Sequence, residues 1–168
     1  MENRTRFQGV PVDLAGKFIA VGATAPEFTL TTGELGEFKL ADGSGKRLIV
    51  NIFPSIDTPV CSLSVRRFNE EAAQLDNTLV LCVSRDLPFA QSRFCAAEGI
   101  KNVLTLSDFR RESTFGFDYG VQIQSGPLRG LLARAVVVID PNGRVIHAQL
   151  VDDIASEPDY AGALAALR

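Results

Sequence analysis

The spacing of apolar residues changes along this chain, and the change separates predicted strands from predicted helices. Short runs rich in Val, Ile and Leu are bounded by glycine, proline or polar turns, which is typical of buried strands. These predicted strands cover residues 47–53, 78–84, 103–106 and 133–139. Between them apolar residues recur every three or four positions, which predicts helices. These predicted helices cover residues 59–75, 87–98 and 109–118.

The order of the elements predicts the fold class. Strand–helix–strand crossovers come first, followed by a tight turn at Pro141-Asn142-Gly143, a returning strand over residues 144–151 and a last helix over residues 158–167. This order favours an α/β sandwich of thioredoxin type, with a central mixed β-sheet and helices on both faces. No repeat or linker interrupts the chain, and 168 residues suit a single domain over 1–168.

The N-terminal region predicts a small β-hairpin ahead of the sandwich. Apolar residues alternate between positions 10 and 14, Ala15-Gly16 offers a turn, and the apolar run 18–21 follows. Alternation of this kind, interrupted by glycine, is typical of two short paired strands.

Composition narrows the class of protein. The chain is 46% hydrophobic and 22% charged, as soluble globular proteins are, and its net charge of −3 argues against a nucleic-acid partner. No apolar run approaches the ~20 residues that cross a membrane. The first six residues precede no signal-peptide core, and three scattered cysteines do not make a disulfide scaffold, so we expect a cytoplasmic protein.

Cys61 lies where the strand 47–53 turns into the helix 59–75. Thr58 is a preferred N-cap residue and Pro59 suits the first helical position, so Cys61 falls in the first turn. Free N–H groups and the helix dipole favour an anion there, and the thiolate is the reactive form of cysteine. We therefore expect a nucleophilic thiol at the floor of a shallow pocket. The alternative is a cysteine that serves as a small core residue.

The other two cysteines have different predicted environments. Cys82 lies in the middle of strand 78–84 and is expected to be buried in the core. Cys95 is expected at the flank of helix 87–98, which either Ser84 or Asp86 could cap and which Gly99 is expected to end. The predicted apolar face of that helix consists of Ala90, Phe94 and Ala97. A disulfide needs Cα atoms within about 7 Å, so pairing of Cys61 with Cys95 would require local unwinding.

Arg134 stands in an otherwise apolar strand. Burial of a guanidinium is costly unless it meets an anion, and a thiolate at Cys61 would serve. Two alternatives stay open: a strand end that points Arg134 to solvent, and Arg129 as the cation. We further expect the Thr58 hydroxyl to cap the helix and to hydrogen-bond the Cys61 sulfur or an oxygen of the substrate, and Pro54 to shield the thiolate.

Other kinds of site have little support. His147, the one histidine, is expected at the surface on the face opposite Ile146, Ala148 and Leu150, so a Cys–His hydrolase dyad is disfavoured. Cysteine and histidine show no metal-ligand spacing, and no glycine-rich phosphate loop follows a strand. Because position 58 is threonine, there is no Cys-x-x-Cys motif of a dithiol exchange protein. We expect no metal and no organic cofactor.

Four segments resemble the bacterial thiol peroxidase family, the atypical two-cysteine peroxiredoxins. They are residues 51–61 (NIFPSIDTPVC), 87–95 (LPFAQSRFC), 133–140 (ARAVVVID) and 157–160 (EPDY). The motif Pro-x-x-x-Thr-x-x-Cys with the later arginine is specific, and the similarity extends over nearly the whole chain. The resemblance implies a thioredoxin-like fold with an N-terminal hairpin, and a homodimer.

The resemblance also implies a reaction. Cys61 would be the peroxidatic cysteine, which attacks a peroxide and becomes a sulfenic acid, and Cys95 the resolving cysteine, which forms a disulfide with it. Thioredoxin would reduce that disulfide. Pro54, Thr58 and Arg134 match the remaining active-site positions of the family.

The resemblance also implies a class of substrate, and it leaves two alternative functions open. The family implies alkyl and lipid hydroperoxides alongside hydrogen peroxide as substrates. Pro59 departs from the glycine often found at this position, which bears on the rate of turnover rather than on the reaction. Two other functions remain open: a general thiol–disulfide oxidoreductase and a non-enzymatic redox-sensing interaction protein.

Overall fold

The computed structural model describes residues 2–168, and its elements follow the predicted order closely. The strands are β1 Arg4–Phe7, β2 Val10–Asp13, β3 Thr29–Thr32, β4 Glu37–Lys39, β5 Arg47–Ile52, β6 Thr78–Ser84, β7 Leu104–Ser107, β8 Ala135–Ile139 and β9 Val145–Leu150. The helices are α1 Pro59–Ala72, α2 Pro88–Glu98, α3 Phe115–Asp118 and α4 Tyr160–Ala165, with a 3-10 turn at Leu40–Gly43.

Seven strands form one mixed sheet in the order β4-β3-β7-β6-β5-β8-β9. Strands β5, β6 and β7 run parallel, whereas β8 pairs antiparallel with both β5 and β9. The predicted mixed sheet, with a hairpin as its antiparallel part, is therefore confirmed. The edge hairpin β3–β4 was not predicted, because its short strands alternate too little to stand out from a loop.

Strand β5 separates two apolar cores, since successive side chains point to opposite faces of a sheet. Leu48, Val50 and Ile52 belong to the larger core, together with Phe28, Phe115 and Tyr119. The second core contains Ile49 and Phe53, and helices α1 and α4 pack over it with Val65, Phe68 and Ala163. Cys61 belongs to this second core, which fixes the side of the sheet on which its side chain lies.

The N-terminal hairpin exists, but its predicted turn was wrong. The strands β1 and β2 pair around Gln8 and Gly9, both of which have positive φ (52° and 81°). Two consecutive residues with positive φ give the turn whose twist suits a two-residue hairpin. Ala15-Gly16 instead begins a loop, and the run 18–21 is not a strand.

The ends of the other elements shift by a few residues, as helix ends commonly do. Helix α1 ends at Ala72 rather than 75, α3 is a single turn within the predicted 109–118, and α4 is shorter than 158–167. Neither Ser84 nor Asp86 caps α2, whose N-cap Leu87 has no side-chain hydrogen bond. The predicted stop at Gly99 is confirmed, because Gly99 is left-handed with φ +66°.

The buried face of α2 also differs from the prediction. Pro88 and Gln91 are buried, Cys95 is half-buried, and Ala97 is exposed. Gln91 turns inward because its amide finds buried partners: Nε2 donates to Ser84 Oγ and to the carbonyl of Leu106, both at 3.0 Å. A buried glutamine is not visible to a pattern that counts only apolar residues.

His147 is half-buried rather than at the surface. His147 pairs with Val138, which belongs to the second core, and the irregularity between Val138 and Ile139 turns Ile146 toward the same core. Burial lowers the pKa of His147, and the negative charge of Asp159 raises it by a smaller amount. Within the described chain, no helix has the length and apolar character needed to cross a membrane.

Gly120 and Gly99 provide a matched test of the packing. Both have positive φ, +68° and +66°, but a Cβ on Gly120 would lie 2.2 Å from the carbonyl carbon of Lys17, whereas a Cβ on Gly99 meets nothing within 4 Å. Gly99→Ala should therefore cost about 1–2 kcal/mol of backbone strain. Gly120→Ala should lower the free energy of unfolding by about 1–3 kcal/mol more than Gly99→Ala does, because the backbone at Lys17 must move to make room for the Cβ. Urea unfolding of both variants measures the difference, and equal losses would contradict the described packing.

Candidate active site

The loop between β5 and α1 is built by short-range hydrogen bonds. Pro54 is buried below it, and Thr58 has the extended backbone of an N-cap residue (φ −101°, ψ 147°) with Pro59 as the first helical residue. The predicted helix start is thus confirmed. The Thr58 side chain, however, does not cap the helix: its hydroxyl donates to the carbonyl of Ser55 at 3.0 Å. The same carbonyl accepts the Thr58 N–H, which tightens the turn before the helix.

Cys61 lies in the first turn of α1 and is 0% exposed. The Nη2 group of Arg134 donates to its sulfur at 3.1 Å. On the opposite side, Ser64 Oγ donates to the Cys61 carbonyl at 2.8 Å and accepts a hydrogen bond from Asn51 Nδ2 at 3.2 Å. Cys61 is therefore held by Arg134 at its sulfur and by Ser64 at its carbonyl, in the first turn of a helix, where the dipole favours an anion.

Arg134 immediately precedes β8 and is 2% exposed, so the alternative that it points to solvent is wrong. Its Nε donates to the carbonyl of Ile154 at 2.7 Å, and its Nη1 is buried without a protein partner. Arg129, the competing cation, is exposed. Among the described residues no carboxylate forms a salt bridge with Arg134. A buried guanidinium requires a counter-charge, and the sulfur of Cys61 is the atom in position to supply it.

A cavity of about 260 Å³ opens beside this pair, and its wall is mostly apolar. The lining residues are Phe7, Gln8, Pro54, Ser55, Thr58, Pro59, Val60, Leu128, Leu131, Arg134, Ile154 and Ala155. Cys61 itself does not line the cavity, so the prediction that its thiol forms the floor of a pocket is wrong. Arg134, which contacts the sulfur, lines the cavity in its place. A larger cavity of about 520 Å³ beside β3 and β4 is lined by none of the cysteines.

The N-terminal hairpin contributes one wall of this cavity through Phe7 and Gln8. The carboxylate of Asp153 holds the hairpin turn by accepting the N–H groups of Gln8 at 3.1 Å and Gly9 at 2.8 Å. Hydrogen bonds from backbone N–H groups, first that of Ala155, lower the pKa of Asp153. The hairpin is thus attached to the loop that carries Ile154, the residue whose carbonyl orients Arg134.

Comparison with known proteins assigns the chain to a family. A family model for redoxin matches residues 20–164. Over 164 residues the chain is 56% identical to the thiol peroxidase of Corynebacterium glutamicum, and the match covers 98% of each chain. The chain belongs to the redoxin family, as a thiol peroxidase. The predicted family and the predicted class of enzyme, a peroxidase, are confirmed.

Solved structures agree with the fold. A peroxiredoxin-like protein from Aquifex aeolicus is 42% identical to this redoxin, with a TM-score of 0.90 over 96% of this chain and 93% of that one. The thiol peroxidase from Chromobacterium violaceum also superimposes with a TM-score of 0.90, over 99% and 97% of the two chains. At 21% identity it supports the fold alone. The thioredoxin-like peroxiredoxin fold predicted from the sequence is therefore confirmed.

The second cysteine of this redoxin is a core residue, as predicted. Cys82 is 0% exposed, and burial raises the pKa of its thiol to about 12. Its polar neighbour is Asn51, whose Nδ2 lies 3.8 Å from the sulfur. At neutral pH Cys82 is therefore a protonated and inaccessible thiol.

Cys95 is half-buried on α2, which confirms the expectation of partial access. Burial raises the pKa of its thiol, and a contact of 3.9 Å with Thr105 Oγ1 on β7 opposes that shift. Cys61, Cys82 and Cys95 are all free thiols. Cys61 faces Arg134 at the start of β8, whereas Cys95 faces β7, and strands β5 and β6 lie between those two.

Sequence reasoning missed Asp86 as a residue of the active-site loop. Its carboxylate accepts the Ser55 hydroxyl at 2.8 Å and the Ile56 N–H at 2.7 Å. One signal could have identified it: Asp86 follows β6, and the neighbouring parallel strand β5 ends just before Ser55. The carboxyl ends of parallel strands share one edge of a sheet, where functional loops meet.

A metal centre finds no support in residues 2–168, which contain no group of three or more His, Cys, Asp or Glu side chains placed to hold an ion. The chemistry that the described site can perform rests on sulfur, guanidinium and backbone amides.

Alkylation of the folded protein tests the environments of Cys82 and Cys95. With iodoacetamide at neutral pH, Cys82 should remain unmodified, because it is buried and its pKa is about 12. Cys95 should react slowly and faster as the pH rises, because its raised pKa keeps it protonated at neutral pH. Peptide mapping measures both, and urea-unfolded protein, in which all three should react, is the control. Labelling of native Cys82 as fast as Cys95 would contradict the assignment.

Proposed function

We propose that this enzyme reduces hydrogen peroxide and organic hydroperoxides with Cys61 as the peroxidatic cysteine and Cys95 as the resolving cysteine. The observation that carries the proposal is the 3.1 Å contact between Arg134 Nη2 and the Cys61 sulfur inside a buried helix N-terminus. Membership of the thiol peroxidases supports it.

In the first step the Cys61 thiolate attacks the terminal oxygen of the hydroperoxide. A sulfur–oxygen bond forms and the oxygen–oxygen bond breaks, so sulfur is oxidised to a sulfenic acid while the peroxide leaves as water or an alcohol after taking a proton. Negative charge moves from sulfur to the departing oxygen. Arg134 Nη1, buried and without a protein partner, is a donor free to bind that oxygen. Preorganised donors of this kind typically contribute about 10²–10³ in rate.

Thr58 and Pro54 complete the proposed site. The Thr58 hydroxyl lies at the rim of the cavity and donates to Ser55, which leaves its oxygen free to accept the O–H of a hydroperoxide. Pro54 is buried beside the cavity and limits access of water to the thiolate. Thr58 therefore orients the substrate and Pro54 shields the sulfur, and neither residue activates the thiolate.

The walls of the cavity favour organic hydroperoxides as well as hydrogen peroxide. Phe7, Leu128, Leu131 and Ile154 offer an apolar surface to an alkyl group. Apolar burial contributes about 25 cal/mol per Å², so an alkyl chain gains affinity here without changing the chemistry at sulfur.

In the second step the Cys95 thiol attacks the sulfenic acid, a disulfide forms and water leaves. Reduced thioredoxin then transfers its two electrons to the disulfide and restores both thiols. Since Cys61 and Cys95 contact different strands in the reduced protein, this step requires unwinding at one or both helices. The site needs no cofactor. Residues 1–168 act as one domain, in the cytoplasm and as a homodimer.

Cysteine variants test the reaction. Cys61→Ser should abolish peroxide consumption, because it removes the nucleophile. Cys95→Ser should consume one equivalent of peroxide and then stop turning over with thioredoxin, because the sulfenic acid has no partner. Cys82→Ala is the control: it should stay active and lose only about 1–2 kcal/mol of stability to the small cavity. Stopped-flow mixing with hydrogen peroxide and cumene hydroperoxide, coupled to thioredoxin turnover, measures all three.

The same series separates the alternatives. Wild-type protein that reduces protein disulfides but consumes no peroxide would favour a general thiol–disulfide oxidoreductase. A single oxidation without repeated turnover in the presence of thioredoxin would favour a redox-sensing protein. A mapped disulfide other than Cys61–Cys95 would overturn the assignment of the resolving cysteine.

A further inference from the structure

Asp86 lies in the short connection between β6 and α2, and its carboxylate is a hub of hydrogen bonds. It accepts the Ser55 hydroxyl at 2.8 Å and the Ile56 N–H at 2.7 Å from the loop that leads to Cys61. It also accepts the Ser84 hydroxyl at 2.5 Å. Hydrogen bonds to an ionised acceptor are about twice as strong as those between neutral groups.

The network continues into the helix that carries Cys95. Gln91 Nε2 donates to Ser84 Oγ at 3.0 Å, and the same Ser84 hydroxyl donates to Asp86. Gln91 lies one turn before Cys95 on α2 and is 0% exposed. A single chain of buried or half-buried polar groups thus connects the loop before Cys61 with the helix of Cys95.

A second attachment holds the far end of α2. Asn69 on α1 accepts the N–H groups of Lys101 at 3.2 Å and Asn102 at 2.7 Å through its side-chain oxygen. Side-chain hydrogen bonds therefore hold the chain on both sides of Cys95, at Gln91 before it and at residues 101–102 after it. The exposed ion pair of Asp57 with Arg93 at 3.8 Å also joins the loop to α2, but exposed pairs of this kind contribute little.

We propose that Asp86 is a positioning residue that latches the Cys61 loop in its peroxide-reactive form, and that release of this latch limits the rate of disulfide formation. The inference rests on the proposed function, because it concerns the step between sulfenic acid and disulfide. That step takes the Cys61 sulfenic acid and the Cys95 thiol to a disulfide and one water, with no external oxidant.

The geometry explains why the latch would control this step and not the first. Attack on peroxide keeps Cys61 against Arg134 and needs only a small local movement that lets the substrate pass from the cavity to the buried sulfur. Disulfide formation needs Cα atoms within about 7 Å, and hence the opened loop or helix. The rate of such a step is proportional to the population of the opened form, and that population rises when bonds made only in the closed form are removed.

The latch also sets a competition. While the loop stays closed, the sulfenic acid waits beside Arg134, and a second molecule of peroxide can oxidise it to the irreversible sulfinic acid. A weaker latch shortens the waiting time, so it should protect the enzyme from inactivation by excess peroxide.

The test is single-turnover oxidation of Asp86→Asn, an isosteric change that removes the charge and sets an NH₂ against one of its donors. One equivalent of hydrogen peroxide is added, samples are quenched in acid, and intact mass separates sulfenic acid from disulfide. Mass detection is needed because the chain has no tryptophan. We expect disulfide formation to accelerate about tenfold, and the peroxide concentration that half-inactivates the enzyme during turnover to rise by a similar factor. The rate of the first step, oxidation of Cys61 by peroxide, should change by much less than tenfold.

Asp42→Asn is the matched control, since Asp42 accepts the Lys39 N–H at 2.8 Å in the 3-10 turn, outside the cavity beside Cys61. It should leave both rates unchanged. Ser55→Ala, which removes one of the contacts, should accelerate disulfide formation less than Asp86→Asn, and it decides the matter if Asp86→Asn does not fold.

Two outcomes would overturn the inference, and they differ. If wild-type protein forms the Cys61–Cys95 disulfide but neither variant forms it faster, the latch is wrong and the proposed function stands. If wild-type protein forms no Cys61 sulfenic acid or no such disulfide, the proposed function fails and the latch fails with it.

Discussion

The contact between a buried guanidinium and a buried sulfur is the constraint on which the rest of this structure depends. Arg134 is 2% exposed and no carboxylate of the described chain neutralises it, yet an uncompensated buried charge destabilises a protein by about 3–5 kcal/mol. The sulfur of Cys61 at 3.1 Å is the group that can carry the missing negative charge. The fold therefore places the buried guanidinium and the sulfur of Cys61 in direct contact, and the stability of the one depends on the position of the other.

Each neighbouring element serves that contact. The antiparallel pairing of β8 with β5 brings Arg134 to the end of the strand that leads to Cys61. The carbonyl of Ile154 fixes the direction of the guanidinium, and Asp153, one residue earlier, ties the same loop to the N-terminal hairpin. The hairpin then contributes Phe7 to the cavity. The contacts around Arg134 thus connect the N-terminal hairpin, the loop before α1 and the loop after β9, which are far apart in sequence.

The sequence predicted the elements with strong periodicity and the residues with strong local chemistry. The β-branched runs of β5, β6 and β8, the helix start at Thr58-Pro59 and the glycine stop of α2 depend on neighbours in sequence, so they could be predicted correctly. Arg134 could be singled out because a cation is costly in an apolar strand. The same reasoning failed for the turn at Gln8-Gly9 and for the half-buried His147, whose face of β9 is covered by the second core.

What the sequence could not reveal were the polar groups whose partners come from other elements. Asp86 was a plausible helix cap by position, but it binds Ser55 and Ile56 across the sheet edge instead. Gln91 broke the apolar pattern of α2 because its amide is satisfied by Ser84 and Leu106. Partners of this kind depend on strand order, which no local pattern contains.

The most direct test of the central claim is the ultraviolet absorbance of the thiolate in a variant with Cys82→Ala and Cys95→Ala, where Cys61 is the single sulfhydryl. Our account predicts thiolate absorbance at neutral pH in the folded protein, lost on unfolding in urea. It also predicts that Arg134→Met removes the signal, whereas Arg129→Met, at an exposed arginine, retains it. A folded protein whose Cys61 shows no thiolate at neutral pH, or shows it equally without Arg134, would contradict the account.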